Sequence, residues 1–336
     1  MLKNYFLGSN TYKGFSGEFS HLLDGRAVIL KGGAGSGKST LMKKVAEIAT
    51  DAGFETEIYR CSSDADSLDG VYVKSKNFAV IDGTSPHTAD AEYHLFRHVT
   101  LNLLDKADAG KTISFSDEIE KAIMTKKQYF SDAYAYLGCA KILKDNVFEK
   151  EKRAHDSSSL DKLALHAFDI VKNTSSLKEK RCVCAITDKG FIDYLDENSK
   201  SLKRVGIKAN GDYPIIYVVN RLLKLLDAHD IGYRTYTSPI YGLPDAVETG
   251  GFIVAGFARL SDAEFIIEET SSADLSHNAD VAVENAFANN FISRAMENIR
   301  LAHLTHMGIE GLYSPSIDWT DVNNKTDKVL CMLFDC

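Results

Sequence analysis

The segment Gly32-Gly33-Ala34-Gly35-Ser36-Gly37-Lys38-Ser39 fits the pattern G-x-x-x-x-G-K-[ST], and Thr40 follows it. This is phosphate-binding chemistry. Glycines let the backbone curl until successive N–H groups face one point. A helix starting there adds partial positive charge. Gly33, Ala34, Gly35, Ser36, Gly37, Lys38, Ser39 and Thr40 are therefore the candidate nucleotide-binding residues. Lys38 is spaced to reach the β- and γ-phosphates, and the Ser39 hydroxyl to ligate Mg2+. The implied ligand is ATP or another nucleoside triphosphate, with Mg2+.

Other residues have types that suit the same chemistry. Phe78-Ala79-Val80-Ile81-Asp82 is an apolar run ending in aspartate. Asp82 is the candidate second holder of Mg2+, although an aspartate also starts many turns. In Ser62-Ser63-Asp64-Ala65-Asp66-Ser67-Leu68-Asp69, either Asp64 or Asp66 suits a magnesium ligand, a water-positioning group or a proton acceptor. A solvated turn fits the same composition. Lys38, Asp82 and Asp64 form the candidate catalytic set. His87 is either a γ-phosphate sensor or, as is commoner for a lone histidine, a hydrogen-bonded structural residue. Arg60, Arg97, Arg204 and Arg221 are equivalent candidates for an arginine finger.

These groups need a strand before the loop and a helix after it. Arg26–Leu30 is short and apolar, as in a strand buried on both faces. Thr40–Ala49 has apolar residues at helical spacing. The order strand, loop, helix is the one the motif demands.

The chain also repeats itself. Thr11-Tyr12-Lys13-Gly14-Phe15 recurs as Thr187-Asp188-Lys189-Gly190-Phe191. Val28–Lys31 has a counterpart in Val205–Lys208, Gly53-Phe54 in Gly232-Tyr233, and Leu68–Val71 in Pro244–Val247. Asp69 thus matches Asp245, and Lys13 matches Lys189, which favours structural roles for these residues. The second loop reads Lys208-Ala209-Asn210-Gly211-Asp212-Tyr213-Pro214-Ile215-Ile216. Aligned residue by residue, Pro214 replaces Gly37 and removes a donor. Ile215 replaces Lys38, Ile216 replaces Ser39, and Asp212 brings a carboxylate to where phosphate would sit. The place of Asp82 falls at Gly256-Phe257. This half is expected to bind no triphosphate.

With these motifs the sequence resembles a bacterial family of tandem P-loop ATPases. The likeness rests on the two T-x-K-G-F segments, Lys31–Leu41, Cys61-Ser62-Ser63-Asp64, Ser67–Val71 and Asp82-Gly83-Thr84-Ser85-Pro86-His87. The resemblance implies two P-loop repeats; this chain keeps one intact loop.

Length and composition agree with two such units. The chain has 336 residues, 44% of them hydrophobic and 26% charged, and a net charge of -8 that argues against general nucleic-acid binding. No apolar run approaches a membrane span, and Met1–Phe6 lacks a signal-peptide core. Six scattered cysteines suit reduced thiols and a cytoplasmic setting. Between the halves, apolar residues from Ile119 to Ile142 and from Leu160 to Val171 recur at helical spacing; Asn278 to Leu304 reads as a further long helix. A core-facing role is expected, with a lid or partner-binding hairpin as the sharper alternative.

The expected fold class is α/β, with two P-loop NTPase-like, doubly wound parallel-sheet halves and a helical insertion. The expected boundaries are 1–110 for the half with the intact loop, 111–178 for the insertion and 179–336 for the degenerate half. The expected function is Mg-dependent nucleoside triphosphate binding and hydrolysis. A small-molecule or nucleotide kinase and a non-hydrolysing nucleotide switch or scaffold are the alternatives. A protein partner is compatible with all three, and the oligomeric state is left open.

Overall fold

The computed structural model describes residues 2–17, 19–94, 96–269 and 279–335. At the centre of the first sheet lies β4 (Arg26–Lys31). Its alternate residues split between two cores: Val28 and Leu30 face one, Ala27 and Ile29 the other, all fully buried. Around it stand β1 (Leu2–Phe6), β5 (Thr56–Arg60), β6 (Leu68–Val73), β7 (Phe78–Asp82) and β8 (His98–Asn102), in the order β1-β5-β6-β7-β4-β8. The second sheet holds β9 (Lys178–Arg181), β12 (Lys203–Lys208), β13 (Tyr233–Thr237), β14 (Pro244–Thr249), β15 (Phe252–Gly256) and β16 (Phe265–Glu268). Read from β9, its order is β9-β13-β14-β15-β12-β16.

The sequence had led us to expect parallel sheets, but neither sheet is wholly parallel. β6 runs antiparallel to β5 and β7, and β14 antiparallel to β13 and β15; the other pairings are parallel. The cause is connection length. A parallel crossover needs a dozen or more residues, and between β6 and β7 there is only a short turn containing Lys74–Lys76.

Two hairpins accompany the sheets: β2 (Gly8–Thr11) with β3 (Gly14–Gly17), and β10 (Cys184–Thr187) with β11 (Gly190–Asp193). They explain the repeated T-x-K-G. Thr11 Oγ1 accepts the Lys13 N–H at 3.2 Å and donates to the Gly14 carbonyl at 2.8 Å. Thr187 does the same with Lys189 at 3.1 Å and Gly190 at 2.8 Å. Gly14 and Gly190 take φ of +103° and +111°, where glycine is favoured.

The sheets are not doubly wound. α1 (Lys38–Asp51) and α8 (Trp319–Phe334) pack on one face of the first sheet, where Leu41, Val45 and Ala49 meet Val322, Val329 and Leu333. α4 (Ser157–Val171) and α6 (Asp212–Ala228) cover one face of the second. The opposite faces run into one shared core, with Ala27, Ile29, Tyr59 and Ile81 beside Tyr236, Ala246, Ile253 and Ala255. Short α5 (Leu195–Asn198) adds Leu195 to it. Packing therefore crosses the boundaries expected from sequence: α8 closes the first sheet although it ends the chain.

After the short α2 (Ala109–Ile113), the long α3 (Ser116–Ala154) and α7 (Ala279–Tyr313) lie side by side. They are antiparallel, since Lys126 meets His306 while Lys150 meets Glu284. Ala133, Leu137 and Ala140 pack on Ile292, Ala295 and Ile299. α7 runs past Leu304, the end expected from sequence; Asn278 lies outside the described residues. No helix among the described residues is long and apolar enough to cross a membrane.

Candidate nucleotide-binding site

β4 ends at Lys31 and α1 begins at Lys38, so Gly32–Gly37 forms the loop between strand and helix. Gly35 and Gly37 take φ of +67° and +88°, a conformation that side-chain-bearing residues adopt at a cost. Ser36 Oγ donates to the Gly33 carbonyl at 2.9 Å and pins the curl. Lys38 folds back over the loop, with Nζ donating to the carbonyls of Gly32 at 2.7 Å and Gly33 at 2.9 Å.

Asp82 enters the same site because β7 is the neighbour of β4, with Asp82 opposite Leu30 at the strand ends. Its Oδ2 lies 3.7 Å from Lys38 Nζ. Its Oδ1 accepts the Thr84 N–H at 2.8 Å and the Thr84 hydroxyl at 2.5 Å. Burial pushes this carboxyl above its ordinary value, and Lys38 and Thr84 offset only part of that. Ser39 Oγ accepts the Leu68 N–H at 3.0 Å. Ser39 and Asp82 offer hard oxygen donors at the mouth of a phosphate-type loop. That donor chemistry fits Mg2+, which takes few protein oxygens and keeps its waters.

The other sequence candidates already have partners. Asp64 lies 3.7 Å from His303 Nε2, and Asp188 Oδ2 is 2.9 Å from His303 Nδ1. Asp188 also accepts the Ala65 N–H at 3.1 Å, so His303, Asp64 and Asp188 tie α7 to both halves. Oxygen and nitrogen donors of these three residues lie within 4.8 Å of one another. Asp66 is paired with Lys189. His87 is buried, edge-on to Phe15 at 4.9 Å and 3.3 Å from Asp69. Burial works against its charge, but the Asp69 carboxylate outweighs that and holds the imidazole above its ordinary value. Asp69 and His87 thus form a buried pair. The arginines are also held: Arg60 by Asn4 and the Ala65 carbonyl, Arg97 over the Tyr93 ring, Arg204 by Ser261 and Asp196, Arg221 by Asp161.

The structure adds residues that sequence reading passed over. Glu310 of α7 accepts the Gly35 N–H at 3.2 Å through Oε1. His306 Nε2 stands 3.6 Å from Glu310, and its Nδ1 is 3.2 Å from Lys126 Nζ of α3. Burial pulls His306 down to about 4, with Lys126 and Lys38 adding repulsion, so the ring is a neutral acceptor for Lys126 at pH 7. Burial also lowers Lys126, and Lys38 repels it. The spacing of His303, His306 and Glu310, at i, i+3 and i+7, is a legible signal of one helix face.

The second loop is built differently from the residue-by-residue expectation. α6 begins at Asp212, whereas the residue aligned with the α1 start is Ile215, so the helix consumes part of the loop. Pro214 lies in the first turn, where it costs no helical hydrogen bond. The Asp212 carboxylate turns away to accept the Tyr241 hydroxyl at 2.7 Å. It is Glu151 of α3 that fills the loop: its carboxylate accepts the Tyr213 N–H at 2.8 Å and crowds Gly211, whose φ is +100°. Burial pushes the Glu151 carboxyl above its ordinary value, while the Tyr213 and Asp212 amides oppose that.

No family model, no curated protein and no solved structure matches the chain.

Proposed function

We propose that residues of the first sheet bind a Mg-nucleoside triphosphate at Gly32–Thr40 and hydrolyse it. The observation that carries this reading is the convergence of Lys38, Ser39 and Asp82 on a glycine loop at the carboxyl ends of β4 and β7. Open α/β sheets bind ligands at that edge. Gly35 and Gly37 would present backbone N–H groups to phosphate oxygens, with Lys38 exchanging its carbonyl partners for the β/γ-phosphates. Ser39 and Asp82 would hold Mg2+, which supplies charge neutralisation as the γ-phosphoryl group leaves.

We further propose that the chain is an internal duplication of a P-loop NTPase-like unit, as the resemblance to tandem P-loop ATPases implies. The shared strand order, the shared antiparallel position of β6 and β14, and the matching T-x-K-G turns support it. The nucleotide is assigned to the first copy alone, because Glu151 and the early start of α6 fill the second loop. Hydrolysis is favoured over transfer to an acceptor, since Asp64 and Asp66 are already paired with His303 and Lys189.

The test is phosphate release by the purified chain with ATP, with and without Mg2+. Mg-dependent release that falls at least tenfold in Lys38→Ala is expected. Equal release by the variant contradicts the loop assignment, and phosphate passing only to an added hydroxyl compound establishes a kinase instead.

A further inference from the structure

We propose that Glu310 is a built-in phosphate surrogate: its carboxylate holds the anion seat of the Gly32–Gly37 loop until a triphosphate displaces it, and α7 and α8 thereby gate the site. This rests on the nucleotide reading of that loop. The Gly35 N–H that should face a phosphate oxygen instead donates to Glu310 Oε1 at 3.2 Å. α7 lies directly on the loop, since a Cβ placed on Gly35 would come 3.0 Å from the Glu310 carbonyl oxygen. α8 closes from the other side, and a Cβ on Gly37 would come 3.1 Å from the Trp319 ring. The surroundings call for an anion: Lys38 and Lys126 both act on this spot, and His306 is its neutral neighbour.

The second loop supplies an independent observation. Glu151 lies near the C-terminal end of α3, which closes at Ala154, and Glu310 near that of α7, which closes at Tyr313. Each carboxylate accepts a backbone N–H close to the start of the helix beside it: Tyr213, in the first turn of α6, for Glu151, and Gly35, in the loop three residues before α1, for Glu310. One placement thus occurs twice, at two strengths. Glu151 is a buried plug with a 2.8 Å bond, in a loop that lacks the lysine and the metal ligand. The Glu310 side chain remains 45% exposed on a longer contact, in a loop that keeps both. A phosphate oxygen and the Glu310 carboxylate compete for one N–H, and like charges at that range repel. Nucleotide binding therefore expels Glu310 and loosens the end of α7. Apparent affinity is the intrinsic affinity reduced by the fraction of chains with the seat open.

The experiment titrates Mg-ATP into the full chain and into Glu310→Ala, Glu310→Gln, Lys38→Ala and the Lys38→Ala/Glu310→Ala double variant. Calorimetry reads affinity, and the fluorescence of Trp319, the single tryptophan, reads the loop contact. Removing the competing carboxylate is expected to tighten binding about tenfold in Glu310→Ala. A smaller gain is expected in Glu310→Gln, whose amide oxygen still accepts. Trp319 emission of nucleotide-free Glu310→Ala is expected to resemble that of ATP-bound wild type. Thermal unfolding checks that each variant is folded, and Glu310→Gln carries the comparison if Glu310→Ala is not. Unchanged or weaker binding by folded Glu310 variants, with binding lost in Lys38→Ala, overturns the surrogate and leaves the nucleotide site standing. Full binding by the double variant overturns the nucleotide site itself. No binding by wild type or by either Glu310 variant contradicts both.

Discussion

Lys38 is held by the glycine loop it belongs to. Its ammonium borrows the carbonyls of Gly32 and Gly33 and the charge of Asp82. In the proposed complex, phosphate would take the place of the two carbonyls, exchanging neutral acceptors for a charged one, and hydrogen bonds to charged groups are the stronger kind. On the proposed reading, Asp82 acts on turnover more than on binding. Asp82→Asn keeps the shape and the Thr84 hydrogen bonds but weakens the hold on Mg2+. Its hydrolysis rate at saturating ATP is expected to fall at least tenfold, with affinity changed only a few-fold. A wild-type rate would remove Asp82 from the chemistry. His306 gives a pH prediction. Its value falls from 6.5 to about 4 through burial, with Lys126 and Lys38 adding to it. Between those values the unfolded chain binds a proton that the folded chain refuses, so stability drops as pH falls through that window. His306→Gln is expected to flatten the loss of Tm over that range; an unchanged slope would show that His306 is not the buried neutral group described. Gly32–Ser39 and Asp82 were legible because their spacing is local. Glu310 and His306 share a helix face that their spacing shows, but their partners were not legible, since these lie 275 and 180 positions away and packing of α7 selects them.

At the scale of elements, the apolar run that became β4 was legible as a strand buried on both faces. Parallel neighbours misled the expectation for β6 and β14. The short turn at Lys74–Lys76 rules out a helical crossover, and that length was readable in advance. What no periodicity reveals is which sheet a helix covers. The apolar stripe of α8 reads the same whether it packs on its own half or on the first sheet. Here Val329 and Leu333 are fully buried in the core that contains Val45 and Ala49 of α1. Leu333→Ala is expected to cost about 2–5 kcal/mol of stability through lost transfer energy and a cavity, measured by denaturant unfolding. A loss below about 0.5 kcal/mol would mean that α8 is not part of this core.

Over the whole molecule, two sheets of like order share one core, and two long helices, packed on each other, each bring a carboxylate to one loop. This arrangement makes the loops unequal. Each faces a carboxylate from a long helix, yet only Gly32–Ser39 keeps the lysine and the serine that, on the proposed reading, would let a phosphate win the seat. The loss of Lys38 and Ser39 equivalents was legible in the second half; the plug that fills the space came from α3, outside any motif. The shared core between the sheets, containing Tyr59 with Tyr236 and Ile29 with Ile253, also couples the halves. One cooperative unfolding transition is therefore expected, and ATP should raise its midpoint by mass action. Separate transitions, with only one responding to ATP, would contradict that coupling.

The central claim, one nucleotide site formed by Gly32–Thr40 with Asp82, is tested most directly by counting sites. Equilibrium titration of the full chain with Mg-ATP is predicted to give one site per chain, absent in Lys38→Ala. Two sites per chain, or one site that survives Lys38→Ala, would contradict it.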